Sequence, residues 1–242
     1  MEELARAVAD RTQFAADLFA EMEKHTHDGI GITRASYGEG EQKAHDIMAE
    51  AARELGLGVA QDPACNSYFT LPGKNRRAPS VLIGRHLDSV AQGGNFDGAA
   101  GVVSGLTALA ALKDAGVQPN VDVTVMGIRA EESAWFGVSY LGSRAALGML
   151  PAGALDAKRS DNGRSLADHI AEMGGDPEAL QRGPAILDTS LVRAFLEPHI
   201  EQGPVLDQKE IPIGVVTGIR GNRRLPHARC IGRYAHCGGE PR

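Results

Sequence analysis

The stretch VLIGRHLDSVAQGGNFDGAAGVVSGLTALAALKDAGVQPNVDVTVMGI, residues 81–128, decides the fold. It opens on the apolar run Val81-Leu82-Ile83, which predicts a short strand. Gly98 to Ala115 is almost wholly small and apolar, the composition of a helix packed closely against its neighbours rather than one facing water. Val121 to Ile128 returns to β-branched residues and predicts a second buried strand. Strand, helix and strand in succession argue for a layered α/β architecture.

The flanks extend this pattern. Leu4, Val8, Phe14, Leu18 and Met22 approximate a helical stripe over residues 3–24. Ala44, Ile47, Met48, Ala51 and Leu55 make a second between Glu39 and Leu55, which Gly56 and Gly58 end. Further strands are expected at 67–71, Leu191–Ile200 and Ile213–Ile219. Residues 148–190 are rich in Gly, Asp and Pro and read as surface excursions, with one amphipathic segment at Ser165–Met173. The expected fold class is α/β: a three-layer α/β/α sandwich on a twisted, largely parallel mixed sheet.

Composition narrows the function. The 242 residues are 43% hydrophobic and 23% charged, ordinary for a globular chain able to bury a core. A net charge of −6 argues against nucleic acid as a partner. Cys65, Cys230 and Cys237 are odd in number and lack a CxxC spacing, so no disulfide framework is expected. No apolar run approaches a membrane span, and the first residues lack the apolar core of a signal peptide. The expectation is a cytoplasmic protein with no membrane partner.

Chemistry concentrates at the ends of the predicted strands. His86 and Asp88 follow the strand at 81–83, and Asp97 closes the next loop. Glu131 and Glu132 follow the strand at 121–128, and His199 ends the run beginning at Leu191. Histidine and carboxylate are the ligands of hydrolytic Zn²⁺, Mn²⁺ or Co²⁺ sites. In open α/β sheets ligands gather outside the carboxyl ends of strands. Each feature alone has a plainer reading: Asp97-Gly98 as a turn with a helix cap, Glu131-Glu132 as an acidic helix start. Trp135, the single tryptophan, reads as a packing residue.

Taken in order, GRHLDSV (84–90) with GGNFDG (93–98), AEES (130–133) and EPHIEQGPVLD (197–207) closely resemble the hydantoinase/carbamoylase branch of the M20-type metallohydrolases. That branch holds N-carbamoyl-L-amino-acid hydrolases, allantoate amidohydrolases and β-ureidopropionases. GITRASY (31–37), DPACN (62–66) and GRYAHCG (232–238) extend the resemblance from about residue 29 onward. It implies a metal-dependent amidohydrolase that cleaves a C–N bond of a small ureido or amide substrate, with two divalent ions (Zn, Mn, Co or Ni). Carried across by position, His86 and His199 would be terminal ligands of separate ions. Asp97 would bridge them, Glu132 would complete one ligand set, and Asp88 would orient His86. Glu131 would be the general base, Gln202 would contact the ureido group, and His236 would steady the tetrahedral intermediate from a lid. The histidine in HIEQG stands where ordinary peptidases of the superfamily place a carboxylate.

The resemblance also implies a domain division: 1–212 as the N-terminal part of the catalytic domain, 213–242 as the beginning of a small α+β lid through which the family dimerises. Family chains run on to a further histidine ligand and to an asparagine and arginine that grip the substrate, so a truncated chain is expected. Arg85 stands where the family more often has a small residue. Arg220, Arg223, Arg224, Arg229, Arg233 and Arg242 crowd the last stretch. Three other readings stay open: an aminopeptidase or dipeptidase of the same superfamily, a non-catalytic metal-binding fragment, and a structural zinc on His227, Cys230, His236 and Cys237.

Overall fold

Two parallel strands carry the centre of the molecule. β3 (Ser80–His86) and β4 (Val123–Ile128) pair in register from Val81 opposite Val123 to His86 opposite Ile128. The computed structural model describes residues 2–183, 185–219 and 221 of the chain. β3 also pairs in parallel with β5 (Val192–Leu196), with an irregularity between Ser80 and Val81. On the other side the sheet turns antiparallel: β4 pairs with β2 (Ser67–Leu71), and β2 with β1 (Gly58–Gln61). The order is therefore β1-β2-β4-β3-β5 in a mixed sheet. Its parallel part is the β4-β3-β5 trio, which needs crossovers, and the antiparallel part is the pair added beside it.

Alternation along the strands divides the core between the two sheet faces. Phe69, Ile83 and Val125 point to one face, where they join Leu18, Met22, Ala44, Met48, Val102 and Leu106. Tyr68, Met126 and Ile128 point to the other, against Ala146 and Leu187. The first face is covered by α2 (Thr12–Thr26), α3 (Glu39–Glu54) and α4 (Ala99–Asp114), which pack on one another. α4 is apolar on nearly every side because it is buried there on nearly every side, as its composition predicts. The α/β architecture in layers is thus the one expected.

Several details differ from the expectation. The helix at 3–24 is broken at Arg11 into α1 (Glu2–Asp10) and α2, and the Arg11 guanidinium pairs with both Asp114 oxygens at 2.6 and 2.8 Å. The break lets α1 lie along α4. Residues 148–190 do more than run over the surface: together with α5 (Leu141–Ala146), which precedes them, α6 (Leu166–Glu172) and α7 (Pro177–Gln181) help enclose a second apolar cluster around Phe136, Leu166, Ile170 and Leu180. α6 starts on a capping box in which the Ser165 hydroxyl accepts from the Asp168 N–H.

Contacts divide the chain into two units, Met1–His199 and Ile200–Arg242. Within the second, α8 (Val205–Gln208) begins where the Glu201 carboxylate accepts the Leu206 N–H at 2.8 and 2.9 Å. The strand expected at Ile213–Ile219 does not form: the segment has no regular structure, and Ile213, Val215, Val216 and Ile219 are exposed. β-branched residues favour a strand only where a neighbour supplies the other half of the ladder, and none pairs with them among the described residues. Among the described residues no helix is long and apolar enough to cross a membrane.

Leu106 is fully buried between α4 and the sheet. Leu106→Ala is expected to cost about 2–5 kcal/mol of unfolding free energy, read from urea denaturation. A loss within experimental scatter would mean that α4 does not form the core described.

Candidate metal centre

β3 ends on His86 and β4 on Ile128, and these two residues are register partners. The segments leaving both strands therefore share one rim of the sheet, and the side chains at issue sit on that rim. His86 is buried beneath it. Its Nδ1 lies 2.9 Å from the Asp88 carbonyl oxygen and 3.1 Å from Asp88 Oδ1. Two oxygens there assign the proton to Nδ1, which leaves the Nε2 lone pair to the rim. Nε2 faces Asp97 Oδ1 at 3.8 Å and Glu131 Oε2 at 3.7 Å. Gly98 makes room for the ring, since a Cβ there would lie 2.5 Å from His86 Cε1 and Nδ1.

Asp88 does more than orient the imidazole. Its Oδ1 accepts the Glu131 N–H at 3.1 Å, and its Oδ2 accepts the Glu132 N–H at 3.2 Å and the Ser36 hydroxyl at 2.6 Å. One buried carboxylate thus fixes the segment after β3 against the segment after β4. These contacts hold Asp88 below the usual carboxylate range although burial opposes it. For His86 burial acts to lower the pKa, but the hydrogen bond and charge of Asp88 outweigh it and the net direction is up.

The Glu131-Glu132 turn depends on Ala130, a non-glycine residue with φ 49° whose side chain is wholly buried. Left-handed backbone at such a residue costs on the order of 1–3 kcal/mol and survives only where neighbours over-determine it. Glu41 supplies that restraint: Oε1 accepts the Ala130 N–H at 2.8 Å, and Oε2 accepts the Tyr37 N–H at 2.6 Å and Arg129 Nη1 at 3.2 Å. Arg34, also fully buried, holds the other loop, with Nε donating to the Leu87 carbonyl at 2.8 Å and Nη1 to Asn95 Oδ1 at 3.2 Å.

The outcome is a cluster of donors. One ligand atom each from His86, Glu131 and Glu132 can be chosen so that all lie within 4.8 Å of one another. Burial pushes the Glu131 carboxyl up. Glu132 is pushed up to about 7, first by burial and then by the neighbouring carboxylates Glu131, Asp88 and Asp97, against the pull of His86. Carboxyls crowded at raised pKa want a positive charge in their midst, and imidazole with two carboxylates is a donor set suited to a divalent transition ion. His86, Asp88, Asp97, Glu131 and Glu132 are thus brought together.

His199 meets a different neighbour. Its Nε2 accepts a hydrogen bond from Arg85 Nη2. The Arg85 side chain, 8% exposed, also lies 3.0 Å from Glu197 Oε1 through Nη1, 3.9 Å from Glu131 Oε1 and 3.7 Å from Asp97 Oδ1. A single divalent ion fits His86, Glu131 and Glu132. A second one, on Asp97 and His199, does not fit this arrangement, because a guanidinium stands among those donors. Trp135 donates its indole N–H to the Ser89 carbonyl at 2.7 Å and packs beside the second apolar cluster. Gln202 belongs to the second unit, with φ 54°. His236, and the alternative zinc set of His227, Cys230, His236 and Cys237, lie outside the described residues.

Known proteins share this framework. The profile of Peptidase family M28 matches residues 66–156. An N-carbamoyl-L-amino acid amidohydrolase of Geobacillus stearothermophilus is 40% identical over 79% of this chain and 46% of its own length. Allantoate deiminase 1 of Glycine max is 34% identical over 82% of this chain and 41% of its own. A hydantoinase/carbamoylase family amidase from Burkholderia ambifaria superposes with a TM-score of 0.71 at 31% identity, over 84% of this chain and 48% of that one. Over most of its length the chain is similar to members of the hydantoinase/carbamoylase family. It spans about half the length of the curated relatives it matches.

The Glu41–Arg129 pair is wholly buried, so removing one partner strands the other. Arg129→Met is expected to destabilise the fold by about 3–5 kcal/mol. Glu41 is pushed up from 4.5 to about 7, by burial against the pull of Arg129. A carboxyl whose folded pKa is raised loses stability as pH climbs from its ordinary value through the raised one. The loss in Arg129→Met should therefore be greater at pH 8 than at pH 5 in chemical denaturation, and a loss greater at pH 5 would contradict the assignment.

Proposed function

We propose that this chain carries the metal-binding part of an amidohydrolase that cleaves a C–N bond in an N-carbamoyl amino acid, allantoate or a related ureido acid. The observation that carries the reading is the cluster of His86, Glu131 and Glu132 at the ends of two parallel strands. Its chemistry agrees with the amidohydrolase names of the relatives. A divalent ion held there, Zn, Mn, Co or Ni, would supply electrophilic activation of a water and of the substrate carbonyl.

In this reading His86 and Glu132 hold the ion, and Asp97 lies within reach of the same space. Glu131 takes a proton from the attacking water and returns it to the departing nitrogen. Its raised pKa suits that exchange, because a base works best when its pKa approaches the working pH. Asp88 keeps the imidazole proton on Nδ1 throughout. We assign Gln202 to the ureido group and His236 to the developing oxyanion on the family resemblance alone, and on the same ground residues 213–242 to the beginning of a lid. From a carbamoyl amino acid and water the products are the free amino acid, ammonia and carbon dioxide.

The match to Peptidase family M28 favours a second reading, hydrolysis of a peptide bond by the same donors. A panel of N-carbamoyl amino acids, allantoate and dipeptides, offered to the protein with Zn²⁺ or Mn²⁺, separates the two. Ureido substrates are expected to turn over in preference, and preferential release of amino acids from dipeptides would reverse the assignment. Glu131→Gln should lower that turnover by at least about 10²–10⁴-fold, the usual worth of a general base, while metal content measured by elemental analysis stays near the parent's. Near-normal rates in the variant would remove Glu131 from the role.

A further inference from the structure

Asp97 and Glu131 lie between an imidazole and a guanidinium. On one side His86 Nε2 is 3.8 Å from Asp97 Oδ1 and 3.7 Å from Glu131 Oε2. On the other, the Arg85 guanidinium is 3.7 Å from Asp97 Oδ1 and 3.9 Å from Glu131 Oε1, and it reaches Glu197 at 3.0 Å. It also donates to His199 Nε2. A guanidinium has N–H donors only and keeps its proton at any pH a protein tolerates. His199 Nε2 must therefore be the acceptor, with its lone pair committed to Arg85. The same lone pair cannot also bind a metal ion.

The path of the Arg85 side chain is built into the neighbouring helix. Gly101 on α4 faces it, and a Cβ there would lie 2.6 Å from Arg85 Cβ, 3.0 Å from Arg85 Cγ and 2.6 Å from the Pro198 carbonyl oxygen. The stem thus crosses the helix backbone where a side chain would collide with it. On the far side the register opposite Gly127 fixes the strand from which Arg85 springs. The residue is buried, surrounded by acceptors and seated against glycine, so it is part of the packed interior.

We propose that Arg85 is a built-in cation that takes the place of a second metal ion, so that the centre binds one divalent ion, held by His86 and Glu132 beside Glu131. This rests on the metal-site reading above and deepens it. Asp97 and Glu131 then face a metal ion on one side and a permanent organic charge on the other. His199 and Glu197 serve to hold the guanidinium in position. The arrangement has a chemical consequence: strong chelation removes the divalent ion but leaves the guanidinium charge beside these carboxylates.

The test is metal stoichiometry, which reads the proposal without reference to turnover. The metal-free protein is dialysed to equilibrium against Zn²⁺ or Mn²⁺, and bound metal per chain is determined by elemental analysis. The parent and Arg85→Lys are expected to bind one ion, and Arg85→Ala two, because the variant removes the cation that stands beside His199 and Asp97. With Mn²⁺, electron paramagnetic resonance should show the hyperfine-split signal of an isolated ion in the parent and the broadened signal of a coupled pair in Arg85→Ala. Two ions in the parent would overturn the proposal and leave the metal site standing. No ion in the parent, or one that survives His86→Ala, would overturn the metal-site reading itself. Circular dichroism checks that Arg85→Ala is folded; if it is not, the parent's stoichiometry and its Mn²⁺ signal still decide between one ion and two.

Discussion

The Asp88 carboxylate lies wholly out of solvent, where an isolated negative charge would be intolerable. It stays ionised because an imidazole, a hydroxyl and two backbone N–H groups converge on it. Those four partners come from three separate parts of the chain: the loop before α3, the end of β3, and the turn after β4. Satisfying this one group therefore forces the three segments together, and the geometry of the rim follows. Glu131 and Glu132 are placed by their own N–H groups before their side chains are considered. His86 is turned so that its free nitrogen faces them.

Around this point the structure repeats one device, the burial of a charged group to hold a segment that has no regular structure. Glu41 and Arg129 secure the strained Ala130 turn. Arg34 secures the loop that brings Asp97 to the rim. Loops carry most of the donors here, and a loop has no ladder of hydrogen bonds to set its course. Buried ion pairs contribute little net stability, but they penalise every arrangement that leaves one partner alone. Rigidity at the rim comes from that penalty, whereas the apolar clusters on the two sheet faces supply the larger part of the stability.

The parts of this arrangement legible in the amino-acid sequence are those that rest on periodicity and on strand ends. β3, α4 and β4 are written in runs of apolar and β-branched residues, and His86, Asp97, Glu131 and Glu132 could be picked out because they follow those runs. β1 gave no such signal, since its four residues are mostly exposed and belong to an edge. Ile213–Ile219 gave a false one, because composition cannot tell whether a partner strand will be present. The restraining groups Arg34, Ser36, Glu41 and Arg129 were hidden for another reason. In sequence they are ordinary polar residues, and only the closing of loops more than fifty positions apart turns them inward. Arg85 was visible as an oddity, but its place among the carboxylates is a property of three dimensions.

The glycines of the segment around α4 have a consequence beyond the packing already described. Gly98, Gly101 and Gly105 recur with the pitch of the helix and lie under His86, Arg85 and the Val125–Ile83 pair respectively. One narrow ribbon of bare backbone is thus the bed for the imidazole, for the guanidinium and for the sheet beneath them. In a saturation library of α4, intolerance to change should trace this ribbon while the exposed Ser104 beside it drifts freely. Evolutionary exploration of the centre would then have to proceed through the rim loops, because the helix below offers no slack in which a new side chain could arise.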